Sequence, residues 1–198
     1  MTAQRIFGSL TQWDDTVLQW LHSRNTPLGI RIMDTWTILG TGVFTAILGI
    51  GIAVLLSHKR QWAMFKGWTA AFVGGPMIEN ILKWSIRRPR PEFAGPFLHH
   101  FSYSFPSGHA LNSTAVYGML TYIVLRIWTR RPAAKIGIVV FSILLVMGIG
   151  FSRLYLGVHY LSDVLGGFSV GIVWLATCIV FTERSLKAGR LKDDIAND

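Results

Sequence analysis

A single cysteine, Cys178, is present among 198 residues. That excludes an internal disulfide framework and any cysteine-based metal cluster. Cys178 sits within an apolar run, where a small buried side chain is the expected role. Charge is scarce as well: 15% of residues are charged, with 10 acids against 19 bases. Whole stretches lack charge altogether. Trp36–Leu56, Ile136–Ser152 and Val164–Thr182 hold no Asp, Glu, Lys or Arg, and Gly108–Leu125 has only His109 and two tyrosines as ionisable groups. A soluble core does not require such runs, whereas a span across a hydrocarbon layer of about 30 Å takes roughly 20 apolar residues. Trp62–Trp84, interrupted by Lys66, Glu79 and Lys83, makes a fifth segment. The expected fold is therefore an all-α polytopic membrane helix bundle of about five transmembrane helices, with room for a sixth.

The start of the chain also lacks the basic segment, apolar run and small-residue cleavage site of a signal peptide, so insertion is expected to rely on the first span. Residues 1–33 carry Ile6, Leu10, Trp13, Val17, Leu18, Trp20 and Leu21 at roughly helical spacing, with Asp14 and Asp15 between them. This pattern predicts an amphipathic helix lying at the interface. Asp34 is expected to cap the first span or to be a group at its end. Of 7 prolines, Pro89, Pro91, Pro96 and Pro106 fall in residues 85–106, the one long loop. Residues 183–198 read as a charged, solvated and partly disordered tail. The whole chain, 1–198, forms one membrane-embedded domain.

The formal charge of +9 raises nucleic acid as a partner, but its placement points elsewhere. Short connections and the tail hold Lys59, Arg60, Lys66, Arg126, Arg130, Arg131, Lys135, Arg184, Lys187, Arg190 and Lys192. The opposite side has Arg5, Arg24 and Arg31 beyond the cations of the motifs below. Positive residues collect on the cytoplasmic side of membrane proteins. The tail is thus expected in the cytoplasm and the long loop on the outer face. No aromatic-basic groove supports nucleic-acid binding.

Three clusters fall at the outer span ends: Lys83 with Arg90-Pro91, then Pro106-Ser107-Gly108-His109, then Ser152-Arg153 with His159 and Asp163. His159 and Asp163 are four residues apart, so on a helix they share a face and the carboxylate can orient the ring. Lys83, Arg90 and Arg153 are charge-assisted donors suited to phosphate oxygens. Ser107 and Gly108 open a helix, whose N-terminus favours anions. A histidine aimed by a carboxylate can attack phosphorus, and His109 can serve as acid and then base. The cations supply the charge compensation, so no metal or other cofactor is called for.

In order and spacing, these motifs resemble the three-part signature of the type-2 phosphatidic acid phosphatase superfamily, over residues 83–163. The resemblance implies an integral-membrane lipid phosphatase. His159 would be the nucleophile, Asp163 its partner and His109 the general acid, with Lys83, Arg90, Ser107, Gly108 and Arg153 binding phosphate. The implied substrate is a lipid phosphate or diphosphate at the outer leaflet, undecaprenyl diphosphate first, with phosphatidylglycerol phosphate and phosphatidic acid next. A lipid-to-lipid phosphotransferase using the same intermediate is the rival activity.

Other polar residues are expected to be bystanders. His99-His100 lacks a carboxylate or cysteine at ligand spacing and reads as a solvated loop pair. Glu79 and Asn80 are expected to make a structural hydrogen bond between spans. Arg87 and Arg88 either meet headgroups, snorkel or pack within the loop.

Overall fold

The computed structural model describes residue 8 and residues 10–94, 102–127 and 131–197. Among these there is no strand. The helices are α1 (Thr11–His22), α2 (Pro27–Ile38), α3 (Gly42–His58), α4 (Trp62–Ile86), α5 (Gly108–Ile127), α6 (Pro132–Tyr155) and α7 (Leu161–Asn197). Among the described residues three runs are long and apolar enough to cross a membrane: Pro27–His58, Pro132–Tyr155 and Leu161–Gly189. Helices α4 and α5, of 25 and 20 residues, would reach about 37 and 30 Å at 1.5 Å per residue. They have the length but carry more polar groups, because they are the interior helices that bring side chains to the site.

The first span begins earlier than expected. Thr26 caps α2, its Oγ1 accepting from the Gly29 amide at 3.0 Å, and Pro27 occupies the first turn. A proline there loses no helical hydrogen bond. Asp34 therefore lies inside α2 and caps nothing. Leu39–Thr41 then break the run, and Thr41 caps α3 by accepting from the Phe44 amide.

Helix α1 keeps one face against the bundle. Its buried side chains are Asp14, Leu18 and Leu21, while Trp13 and Trp20 face outward. Leu21 joins a cluster with Ala110, Leu154 and Val164, so one face of α1 is docked on the bundle. At the other end, the predicted tail is a continuation of α7, which runs as helix to Asn197. Glu183, at the start of that stretch, accepts from the Tyr122 hydroxyl at 2.8 Å.

Helices α5 and α7 make the most extensive contact, with α4 packed against both. Gly167 and Gly171 allow this. A Cβ on Gly167 would come within 2.6 Å of the Ser107 carbonyl, and one on Gly171 within 2.7 Å of Thr114 Cβ. Small residues four apart let two helix backbones approach closely. The larger core cluster, with Trp68, Met119 and Cys178, lies toward the other end of the same helices. There the Trp68 indole donates to the Gly49 carbonyl at 2.8 Å.

Candidate active site

Helix α4 ends where Arg87 takes a left-handed conformation (φ 53°), which turns the chain sharply across the bundle end. The turn sets Arg88 and Arg90 inward, both buried. The chain returns through Ser102–Ser104 and a cis Phe105–Pro106 bond into the head of α5. Arg153 is in the last turn of α6. A turn with Gly157 at φ 70° carries the chain to His159, and Asp163 lies in the first turn of α7.

Lys83, Arg90, Gly108, His109, Arg153 and His159 line one cavity of about 650 Å³. Asp163 stands behind His159, with Oδ2 at 3.5 Å from Nδ1. That oxygen also accepts from Ser104 Oγ at 2.5 Å and the Tyr160 amide at 2.9 Å. On the other side of the ring, Arg90 Nη1 lies 3.3 Å from Nε2. A guanidinium only donates, so Nε2 must be the acceptor and the proton resides on Nδ1, facing Asp163. The lone pair of Nε2 thus points at the cationic side of the cavity. Burial pushes the His159 ring down to about 4; Asp163 pulls it up, and Arg90 and Arg153 add to the lowering. The ring is neutral at pH 7. Arg90 is also lowered by burial, against the opposing pull of Asp163 and Glu79.

The cations are braced. Lys83 pairs with Glu79 at 2.7 Å, and Arg90 donates to the Val158 carbonyl and to Ser102. Arg153 Nη1 donates to Thr37 Oγ1 at 2.7 Å, which fastens α2 to the site. Among the described residues six buried side-chain polar atoms have no hydrogen-bond partner, and four belong to the site residues or the cavity lining: Ser107 Oγ, His109 Nε2, Asn112 Oδ1 and Arg153 Nε. Orphaned polar groups are costly unless a ligand or water meets them. The Ser107 amide is engaged by the Asp163 carbonyl at 3.0 Å, so the amides available to an anion are those further into the turn.

Several residues take roles not expected of them. Arg88 neither snorkels nor meets solvent: its Nη1 donates to Asp163 Oδ1 at 2.6 Å and its Nη2 to Asp14 Oδ2 at 2.7 Å. Arg87 is exposed over the Trp84 ring. Glu79 makes the expected bond between helices, accepting from Asn112 Nδ2 at 2.7 Å, but it also lines the cavity and pairs with Lys83. Among the described residues Asn80 donates within its own helix, to the Pro76 carbonyl. Ser104, Ser162 and Thr37 carry no motif that would have marked them. His99 and His100 lie outside the described residues. Among the described residues no group of His, Cys, Asp and Glu is arranged to hold a metal.

Beyond the cations the cavity turns apolar, running between α3, α4 and α5 past Ala46, Phe72, Val73, Met77 and Val116. A polar head with an apolar arm is the form expected of a site for an amphiphile with an anionic end.

A family model described as the PAP2 superfamily matches residues 67–187. Phosphatidylglycerophosphatase B of Bacillus subtilis (strain 168) is 39% identical over 149 residues, covering 72% of this chain and 70% of that protein. The lipid A 1-phosphatase of Rhizobium johnstonii is 30% identical over 147 residues, covering 66% of this chain and 55% of that protein. Among solved structures, a transmembrane PAP2-type phosphatidylglycerolphosphate phosphatase from Bacillus subtilis matches with a TM-score of 0.78 at 29% identity. That match covers 89% of this chain and 87% of that one. Aquifex aeolicus LpxE matches with a TM-score of 0.64 at 21% identity over 84% of this chain and 94% of its own, a likeness of fold.

Proposed function

The chain belongs to the PAP2 superfamily, and from that premise we propose that it hydrolyses the terminal phosphate of a membrane lipid through a phosphohistidine on His159. The observation that carries this is the set of unpartnered polar atoms, Ser107 Oγ at the head of α5 and His109 Nε2 and Arg153 Nε on residues that line the same cavity as His159. In the first step Nε2 forms a bond to phosphorus as the bond to the lipid oxygen breaks, and His109 gives that oxygen a proton. Asp163 holds the Nδ1 proton and balances the charge left on the ring. Lys83, Arg90 and Arg153 hold the phosphoryl oxygens as charge builds on them. In the second step His109 takes a proton from water, the water oxygen bonds to phosphorus and the P–N bond breaks.

The charge in the cavity favours a monoester. Lys83, Arg90 and Arg153 less the Glu79 carboxylate leave two formal positive charges beside the neutral His159, before His109 takes up the proton that it gives to the leaving oxygen. A phosphate monoester brings about −1.5 to −2 at neutral pH, which they balance. A glycerophosphate lipid monoester, the chemistry for which the Bacillus relatives are named, is thus the leading substrate, with phosphatidic acid beside it. Undecaprenyl diphosphate is the second reading, since the apolar arm takes a prenyl chain as readily as an acyl chain. The site faces outward by the distribution of Lys and Arg. Water, rather than a second lipid, is the acceptor.

Purified protein in detergent should be given phosphatidylglycerol phosphate, phosphatidic acid and undecaprenyl diphosphate separately, with no acceptor lipid. The expected outcome is steady phosphate release, fastest from a monoester and absent in His159→Ala. Full release by His159→Ala would remove the histidine mechanism. Release only when an acceptor lipid is added would make the protein a transferase.

A further inference from the structure

Asp14 is a carboxylate of the N-terminal helix, only 2% exposed, far in sequence from every motif. Its contacts converge on the site. Oδ1 accepts from the Ser162 amide at 2.9 Å, and Oδ2 accepts from Ser162 Oγ at 2.5 Å and Arg88 Nη2 at 2.7 Å. Ser162 lies in the first turn of α7, so α1 caps that turn from outside with a negative charge. Arg88 in turn spans two carboxylates, Asp14 through Nη2 and Asp163 through Nη1. Its guanidinium also lies over the Tyr160 ring, 4.2 Å from the centroid.

The geometry points to Asp14 as a positioning residue: by holding Nη2 of Arg88, it keeps that arginine from closing both arms on Asp163 and so leaves Asp163 Oδ2 to the set of Ser104, Tyr160 and His159 that it faces. This rests on the reading of His159 as nucleophile and Asp163 as its partner. A guanidinium facing one carboxylate closes two parallel bonds. With Asp14 in place, Arg88 reaches Oδ1 alone at 2.6 Å, while Oδ2 faces His159 Nδ1. Without the Asp14 charge the second arm turns to Oδ2. It then competes with the ring and neutralises the charge needed when Nε2 bonds phosphorus and the imidazole becomes cationic. The loss falls on the phosphoryl-transfer step and not on lipid binding, because Asp14 does not line the cavity.

Substituting Asp14 with Asn leaves Arg88 and Asp163 as a balanced pair, so no buried charge loses its last partner. The test is labelling of the purified protein with phosphatidic acid radiolabelled in its phosphate, quenched in alkaline detergent because a P–N bond is lost in acid, alongside steady-state kinetics. Asp14→Asn should label more slowly by about tenfold or more, with KM within about twofold. Asp14→Glu, which restores the charge, should label within about threefold of the wild type. Leu21→Ala, which loosens the apolar docking of α1 and spares the ion pair, should label at the wild-type rate. Asp14→Asn labelling at the wild-type rate would overturn the proposal, as would Leu21→Ala slowing equally. If Asp14→Asn is not recovered folded, Asp14→Glu decides, since a tenfold loss there contradicts a role for the charge. A wild-type chain that never takes label removes the phosphohistidine itself, and the proposal with it; label that depends on His159 separates the two failures.

Discussion

His159 is held between opposing influences, and its protonation reports them. Burial favours the neutral ring and drops it to about 4, although Asp163 pulls the other way. The unfolded chain would titrate near 6.5. Between those values the unfolded state binds the proton that the folded state refuses, so stability is fully present above about pH 6.5 and falls as the pH drops toward 4. The midpoint of thermal unfolding in detergent should therefore decline from pH 7 to pH 4.5, and less steeply in His159→Gln. Equal slopes in the two proteins would place His159 outside that balance. The same neutrality matters to the chemistry, because an attacking nitrogen needs its lone pair. At this scale the sequence was informative about the residues in motifs. His159, Asp163, His109, Lys83, Arg90, Ser107, Gly108 and Arg153 come together at one end of the bundle, six of them on one cavity. It was silent about Asp14 and Ser104, because a polar residue without a motif gains meaning only from what folding sets beside it.

Helical elements were legible where hydropathy ran unbroken, and misplaced where chemistry interrupts it. The start of α2 is dictated by Thr26 and Pro27, a local signal overshadowed by the longer apolar run that begins at Trp36. The continuation of α7 past residue 183 was hidden by its charge, since a helix leaving a membrane has no reason to stay apolar. Contact between α5 and α7 depends on something subtler, the glycines at 167 and 171. Gly167 brings the two backbones together where Ser107 and Asp163 meet, the Ser107 amide donating to the Asp163 carbonyl at 3.0 Å. A methyl group there meets the Ser107 carbonyl at 2.6 Å and Ala110 Cβ at 2.9 Å. Backbone cannot rotate away as a flexible side chain can, so the helices must part. Gly167→Ala should cost about 1–3 kcal/mol, as overpacked cores do, and lower activity more than stability by moving the head of α5 away from His159. Gly137→Ala, where a Cβ meets nothing within 4 Å, is the control. Equal activity in the two variants would show that this approach does not set the site.

The whole molecule arranges a hydrophilic reaction within an apolar solvent, and orientation and access follow from that. The scarcity of cysteine makes orientation simple to measure, because Cys178 is 2% exposed. A cysteine at the exposed position Ser23 should react with an impermeant thiol reagent from the outer face, and one at Gln61 only after the membrane is opened. The reverse pattern would turn the site toward the cytoplasm. Access is the sharper question. The cavity reaches from the cations past Ala46 of α3 and Val73 and Met77 of α4, and the last two are well exposed on the outer surface of the bundle. A lipid headgroup can therefore reach His159 while its chains stay in the bilayer, with no need to extract the molecule into water. Burying each methylene contributes about 0.8 kcal/mol, so leaving the hydrocarbon would cost a long-chain lipid far more than any one phosphate contact returns. Ala46→Trp fills the arm without touching the cationic end. It should lower kcat/KM for a dioleoyl phosphatidic acid by about tenfold or more, and leave a dibutyryl analogue, whose chains barely enter the arm, within about threefold. An equal loss on both substrates would mean that the tryptophan disturbed the phosphate end. No loss on either would mean that lipid chains do not pass between α3 and α4.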